Sequence, residues 1–310
     1  MVALGELVID MVPVAGAGGE RLFAAKPGGA PGNVAAGVAR LGLRAAMLST
    51  VGPGHLGDLL IAALAQAGVD TRGIVRAGVE TTALAVVSVD AKGERDFVLY
   101  REGCADASFA ADEVALDVVR ASRVIHVGSL SLATPLSAGA QRLAIATAID
   151  AGALISADVN FRPAIWRDRE AMLATGREAI AGADIVKVNE AELYGLAGMD
   201  DLFAAARAIW HPRLKVLAVT RGAEGAEIFT PTLHCHVPGF AVAVVDTVGC
   251  GDAFVASLLA GLIDVDLEAL DKPALLEIGR SACAAGAAVA RVAGAMENMP
   301  RRDEIAALLA

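Results

Sequence analysis

Asp246-Thr247-Val248-Gly249-Cys250-Gly251-Asp252-Ala253-Phe254 sets two glycines immediately before an apolar run, Val255 to Ile263, that reads as a helix. The first N–H groups of a helix have no partner within it, and the helix dipole adds partial positive charge, so this loop favours an anion. A phosphate fits that chemistry. Asp252 is open to two readings. It is a stabilising acid in the first helical turn, or a general base that takes a proton from a substrate hydroxyl while the neighbouring N–H groups stabilise a phosphoryl group. The string G-x-x-x-x-G-K-[ST] is absent, which excludes a Walker-type nucleotide loop.

Outward from this loop, short Val/Ile-rich runs alternate with longer Ala/Leu stretches, the mark of a parallel sheet covered by helices. The class is α/β. Strands are expected at Val2 to Ile9, Ala45 to Val51, Arg123 to Gly128, Ala153 to Asp158, Asp184 to Val188 and Val216 to Thr220. Helices are expected at Asn33 to Leu41, Leu56 to Ala67, Pro135 to Ala151, Glu170 to Ala181 and Asp200 to Trp210. Two regions break the rhythm, Asp10 to Lys26 and Thr82 to Arg101. The second holds Ala83 to Val89 and Arg95 to Tyr100 around the turn Asp90-Ala91-Lys92-Gly93-Glu94. Both read as antiparallel hairpins forming a discontinuous lid, at about 10–26 and 82–103, over one domain spanning 1–310.

The composition narrows the function. Of the 310 residues 55% are hydrophobic, which supplies a large core, and the net charge of −10 disfavours nucleic acid. No uncharged apolar run is long enough to span a bilayer, and no basic leader precedes an apolar segment, so the expected compartment is the cytoplasm. Cys104, Cys235, Cys250 and Cys283 are scattered and give neither a disulfide framework nor a zinc ribbon. His234-Cys235-His236 has no second cluster to complete a metal site and reads as a loop or edge strand.

Two further glycine segments need weighing. Gly52-Pro53-Gly54-His55-Leu56-Gly57 is a literal G-x-G-x-x-G, but no acidic residue closes a second strand at the distance a dinucleotide site requires, so it reads as a strand-to-helix turn. In Lys26-Pro27-Gly28-Gly29-Ala30-Pro31-Gly32-Asn33, Gly28 and Gly29 let backbone approach a ligand. Asn33 either bonds vicinal hydroxyls or caps a helix from Val34 to Leu41.

These two loops, in this order and at opposite ends of the chain, make the sequence resemble the ribokinase-like (PfkB) sugar kinases, most closely the fructokinase branch. Gly5-Glu6-Leu7-Val8-Ile9-Asp10, Asp158-Val159-Asn160-Phe161-Arg162-Pro163 and Lys187-Val188-Asn189-Glu190-Ala191-Glu192 carry the resemblance across nearly the whole chain. It implies a three-layer αβα core with a mostly parallel sheet and a small β lid, and transfer of phosphate from ATP to a sugar hydroxyl. By the same resemblance, Asp252 is the base and the backbone of Gly249, Cys250, Gly251 and Asp252 the anion hole. Asp10, Gly28, Gly29 and Asn33 hold the sugar, with Asn160, Arg162 and Arg101 as further substrate contacts. Lys187, Asn189, Thr220, Gly222 and Gly225 face ATP, and Glu192 organises Mg²⁺ through water. Asp246 and Thr247 match part of a K⁺ site. Family members often pair through their lids, which makes a homodimer the expected assembly.

The chain departs from the family pattern Asp-Thr-Thr-Gly-Ala-Gly-Asp at Val248 and Cys250, keeping the backbone donors but losing a hydroxyl. Pro53, Gly54 and Leu56 stand where relatives show Asp-Asp and Phe, which loosens the choice of sugar. D-Fructose, phosphorylated at its 6-hydroxyl, is the first expectation. A 2-keto-3-deoxygluconate kinase, with Arg101 taking the carboxylate, or an aminoimidazole riboside kinase is the alternative. A dehydrogenase and a non-catalytic sugar-binding protein are more distant.

Overall fold

Val2, Ala3 and Leu4 form β1 (Val2–Leu4) and are all buried, as a strand covered by helices on both faces requires. Side chains alternate across a strand, so Ala3 packs into one apolar layer while Val2 and Leu4 enter the other. The computed structural model describes residues 1–15, 20–89 and 95–310. The other strands are β2 (Val8–Ala15), β3 (Arg21–Gly28), β4 (Ala46–Val51), β5 (Ile74–Arg76), β6 (Ala83–Val89), β7 (Arg95–Tyr100), β8 (Val124–Gly128) and β9 (Leu154–Asp158), followed by β10 (Ile185–Asn189), β11 (Val216–Thr220), β12 (Ala226–Phe229) and β13 (His234–Val237). The helices are α1 (Ala30–Arg40), α2 (His55–Gln66), α3 (Ala105–Ser108), α4 (Leu116–Arg120), α5 (Pro135–Asp150), α6 (Arg169–Ala181), α7 (Glu190–Ala197), α8 (Leu202–Ala208), α9 (Cys250–Leu262), α10 (Lys272–Ala290) and α11 (Arg302–Leu309).

Nine strands form one sheet in the order β13-β12-β11-β10-β9-β8-β1-β4-β5, parallel except at β12 and β13. Helices α1, α9 and α10 cover one face through Val34, Leu258, Leu259 and Ala284, while α5 to α8 cover the other through Ala144, Ile180, Leu193 and Ala205. The α/β class and the three layers are as the sequence implies. No helix among the described residues is long and apolar enough to cross a membrane.

Several boundaries move. The strand expected at Val2 to Ile9 is two strands in two sheets, because Gly5 (φ 155°) packs where a Cβ would meet Pro31, and the chain leaves the main sheet there. Helix α1 starts at Ala30 with proline in its first turn, so Asn33 lies inside the helix and is not its cap. Helix α9 starts at Cys250, inside the glycine loop, earlier than the expected Val255. Helix α8 is shorter than Asp200 to Trp210, because the Asp201 carboxylate accepts a bond from Ala204 N–H and fixes its start.

The two irregular regions form a second, four-stranded sheet in the order β3-β2-β6-β7. Each hairpin is antiparallel, but β2 joins β6 in parallel, with Val8 opposite Ala83 and Met11 opposite Val86, so the sheet is not antiparallel throughout. The turn expected at Asp90 to Glu94 lies outside the described residues. The G-x-G-x-x-G segment is the turn before α2, and Gly52 N–H donates to Thr82 Oγ1 at the base of β6. A Cβ at Gly52 would meet the Thr82 nitrogen at 2.3 Å, so its glycine serves backbone contact and not a dinucleotide.

Candidate active site

A cavity of about 720 Å³ lies between the second sheet and the carboxyl ends of β8 to β11, the edge where open parallel sheets take ligands. Its floor is the glycine loop. Gly249, in the left-handed region at φ 81°, precedes α9, and a Cβ there would strike Ala295. This bend presents the first N–H groups of α9 to the cavity, beside Gly251 and Thr247. Asp252 stands in the first turn, buried, and its Oδ2 accepts a hydrogen bond of 2.7 Å from Asn33 Nδ2 of α1. Asn33 Oδ1 is buried without a partner. Burial, more than any other effect, raises the Asp252 pKa to about 6; the Asn33 bond opposes the rise and Asp158 adds to it.

Asp10 enters from β2. Its carboxylate lies where a Cβ of Gly28 would sit, 2.4 Å from Oδ2, which explains the glycine. Burial raises the Asp10 pKa to about 7, opposed by Arg162. Across the cavity, Lys187 of β10 donates to Asp158 of β9 at 3.1 and 3.3 Å. A Cβ on Gly251 would meet Lys187 Nζ at 3.1 Å, so the ammonium reaches the glycine loop. Burial lowers the Lys187 pKa, but Asp158, Glu192 and Asp252 outweigh it, and the net shift is upward. His126 of β8, which bonds Ser156 Oγ, is pushed down to about 4 by burial and is neutral near pH 7.

Most of the expected residues meet here. Asp10, Gly29, Asn33, Asn160, Arg162, Lys187, Asn189, Thr220, Gly222, Thr247, Gly249, Gly251 and Asp252 all line the cavity. Asn160 holds a left-handed φ of 44°, uncommon outside glycine and concentrated at functional sites. Six others lie behind the wall. Gly28 makes room for Asp10. Gly225 (φ 96°) leaves no space for a Cβ, which would sit 2.0 Å from Val237 O. Cys250 keeps a protonated thiol, since burial raises its pKa to about 11. Asp246 accepts bonds from Val248 N–H and Gly294 N–H and so shapes the loop.

The remaining two are Glu192 and Arg101. Asn189 and Glu192 form a reciprocal capping box at the start of α7, and Glu192 Oε1 also accepts from Phe161 N–H. This Glu192 is buried, so the helix start is not a solvated one. Arg101 follows β7, is buried, and donates from Nε to Asp106 at 2.5 Å. It is not an exposed residue and does not line the cavity.

Glu6, His126 and Asp158 line the cavity but were not singled out from sequence. Glu6 and Asp158 stand in the segments Gly5 to Asp10 and Asp158 to Pro163, beside the expected Asp10, Asn160 and Arg162. His126 carries no sequence signal, because only the ladder of β8 beside β9 brings it there.

His234 and His236 of edge strand β13 both bond Glu227 on β12, and no group of three or more metal-ligating side chains occurs among the described residues.

A buried carboxylate beside a helix start that favours anions, in a cavity walled by β-structure, has the make-up of a phosphotransferase site acting on a hydroxyl. The chain belongs to the pfkB family of carbohydrate kinases, whose model matches residues 1–302, and it is an ATP-dependent sugar kinase. It is 38% identical over 318 aligned positions to fructokinase-2 of Solanum habrochaites, covering 100% of this chain and 95% of that one. The crystal structure of fructokinase with bound ATP from Xylella fastidiosa superposes with a TM-score of 0.92 at 34% identity, covering 100% of this chain and 97% of the other. Fructokinase from Vibrio cholerae O395, in a form with fructose, ADP and calcium ion bound, gives 0.88 at 30% identity, with 100% and 98% covered.

Proposed function

We propose that this kinase transfers the γ-phosphoryl group of ATP to the 6-hydroxyl of D-fructose, with Asp252 as the general base. The observation that carries the mechanism is the buried Asp252 carboxylate, held by Asn33 in the first turn of α9, beside Gly249 and Gly251 at the cavity wall. Asp252 takes the hydroxyl proton as the oxygen attacks phosphorus, while those N–H groups and Lys187 stabilise charge on the equatorial oxygens. Asp10, Gly29 and Asn33 orient the sugar, Gly28 leaves room for the Asp10 carboxylate, and Asn160 and Arg162 stand beside the transfer path. Asn189, Thr220 and Gly222 face the nucleotide.

An Mg²⁺ carried on the nucleotide phosphates would be held through water by Asn189 at the cavity wall and by Glu192 directly behind it, whose carboxylate oxygens also accept the Asn189 and Phe161 N–H bonds. Bound there, Mg²⁺ neutralises phosphate charge. Asp246 and Thr247 would hold a K⁺ as part of its site, and turnover no faster in K⁺ than in Li⁺ salts would overturn this.

Several features support the rest of the reading. The two hairpins serve as a lid, discontinuous in sequence, on a single domain. Phe23, Val98 and Tyr100 are exposed on the face of the second sheet turned away from Asp10 and the cavity, an apolar surface that supports pairing of two copies. A monomeric light-scattering mass at micromolar concentration would overturn the homodimer. All four cysteines are free, which suits the reducing cytoplasm.

Fructose is favoured over an acidic sugar because Arg101 is already paired with Asp106 and lies outside the cavity lining. The deciding experiment measures ATP consumption with fructose, 2-keto-3-deoxygluconate and aminoimidazole riboside. A kcat/KM at least tenfold higher for either alternative than for fructose would replace the assignment.

A further inference from the structure

Behind the sugar end of the cavity lies a buried charged trio, Glu6, Arg101 and Asp106, that the mechanism above does not use. Glu6 sits on the turn between β1 and β2, is only 6% exposed, and lines the cavity. Its Oε1 accepts a bond of 3.3 Å from Ala30 N–H at the start of α1. The two segments pack backbone to backbone here, since a Cβ on Gly29 would meet Glu6 O at 2.4 Å. Glu6 Oε2 is buried and has no partner, nor do Arg101 Nη2 and Asp106 Oδ1 in the adjoining ion pair. Arg101 and Asp106 act electrostatically on Glu6, as does the exposed Arg162 at the cavity. Of the trio, Glu6 lines the cavity and Arg101 and Asp106 do not.

Buried polar atoms in native proteins nearly always find partners, and an unpaired one is costly. An orphan at a cavity wall is accounted for when the ligand supplies the partner. We propose that Glu6 is a specificity-determining residue: Oε1 anchors the backbone at Ala30, and Oε2 bonds one sugar hydroxyl other than the hydroxyl that Asp252 deprotonates. Burial raises the Glu6 pKa to about 7, so near neutrality the carboxyl can accept from a hydroxyl or donate to one. A site built to bond a hydroxyl discriminates against an analogue lacking it, because its own polar group is then left unpaired.

The inference rests on the sugar-kinase reading, and the test separates the two. Wild-type turnover of fructose is measured first, and its absence overturns the fructose assignment alone. The Glu6 test then uses the monodeoxy analogues of whichever sugar is turned over, comparing wild type with Glu6→Ala and Glu6→Gln. For one analogue, wild type is expected to lose about ten- to a hundredfold in kcat/KM. Glu6→Ala should lose less than about threefold on the same change, with the KM for ATP unaltered. Glu6→Gln keeps an acceptor for Ala30 N–H, so it secures the comparison if the alanine variant does not fold. Equal losses by wild type and variants on every analogue would show that Glu6 acts only through Ala30 and would overturn the proposal.

Discussion

Asp252 carries the heaviest chemical demand of any side chain here. Its elevated pKa, about 6, leaves the carboxylate mostly ionised at neutral pH while making it a better base than an exposed aspartate. The base works only when deprotonated. Turnover should therefore rise with pH through about 6 and then level, a profile read from log kcat against pH at saturating substrates. Asp252→Asn keeps the shape but removes the base, and it should lower kcat by about 10²- to 10⁴-fold with much less change in sugar binding. Near wild-type turnover in that variant would remove Asp252 from the mechanism. Arg101 poses a different question at the same scale. Both partners of its pair with Asp106 are buried, so Arg101→Ala strands a carboxylate, and such losses destabilise by about 3–5 kcal/mol. Urea unfolding should show that drop; an unchanged midpoint would mean that Asp106 becomes neutral without penalty.

Among the elements, α9 and the second sheet do opposite work. The floor is rigid because Gly249 turns the chain sharply into a helix buried on nearly every side. The second sheet is held at its base, where Thr82 takes the Gly52 N–H and Ala105 N–H bonds Thr81 O. Val8, Asp10, Ala85 and Leu99 bring this sheet to the cavity wall. Sugar bound beneath it would link it to the core and exclude water from the phosphoryl group. Amide hydrogen exchange in β6 and β7 should slow when sugar is added, and unchanged exchange at saturation would remove the lid role. The alternation of short and long apolar segments was legible for the core strands, because each must bury both faces. The join of β2 to β6 was not, because parallel pairing between two hairpins depends on where the core places their ends.

For the molecule as a whole, concentrating buried carboxyls around one cavity has a thermodynamic consequence. Glu6 and Asp10 have pKa values raised to about 7 and Asp252 to about 6, all mainly by burial. Between about pH 4 and 7 the native state thus binds more protons than the unfolded chain, so stability falls as pH rises. This contribution is complete below the unfolded values and lost as pH passes the folded ones. The urea midpoint of ligand-free protein should be higher at pH 5.5 than at 7.5, and Glu6→Gln should narrow the difference. A midpoint that rises over this interval would contradict the burial of these carboxyls.

The sequence alone determined the α/β class and an anion-favouring glycine loop, and it marked Asp252 and the Gly28 to Asn33 segment as candidates, because each is a local property. Apolar period sets the element type, glycine sets backbone freedom, and a helix start sets the sign of charge it attracts. Tertiary structure alone decided which neighbours of those residues take part. Asn33 becomes the partner of Asp252 because α1 packs against α9, and Lys187 meets Asp158 because β9 and β10 are in register. Arg101 was drawn off to Asp106, while Glu6 was left with an unpaired oxygen at the cavity wall. Pairings of this kind depend on distances between segments far apart in the chain, and desolvation depends on what the whole fold buries, so neither is written in any single stretch of residues.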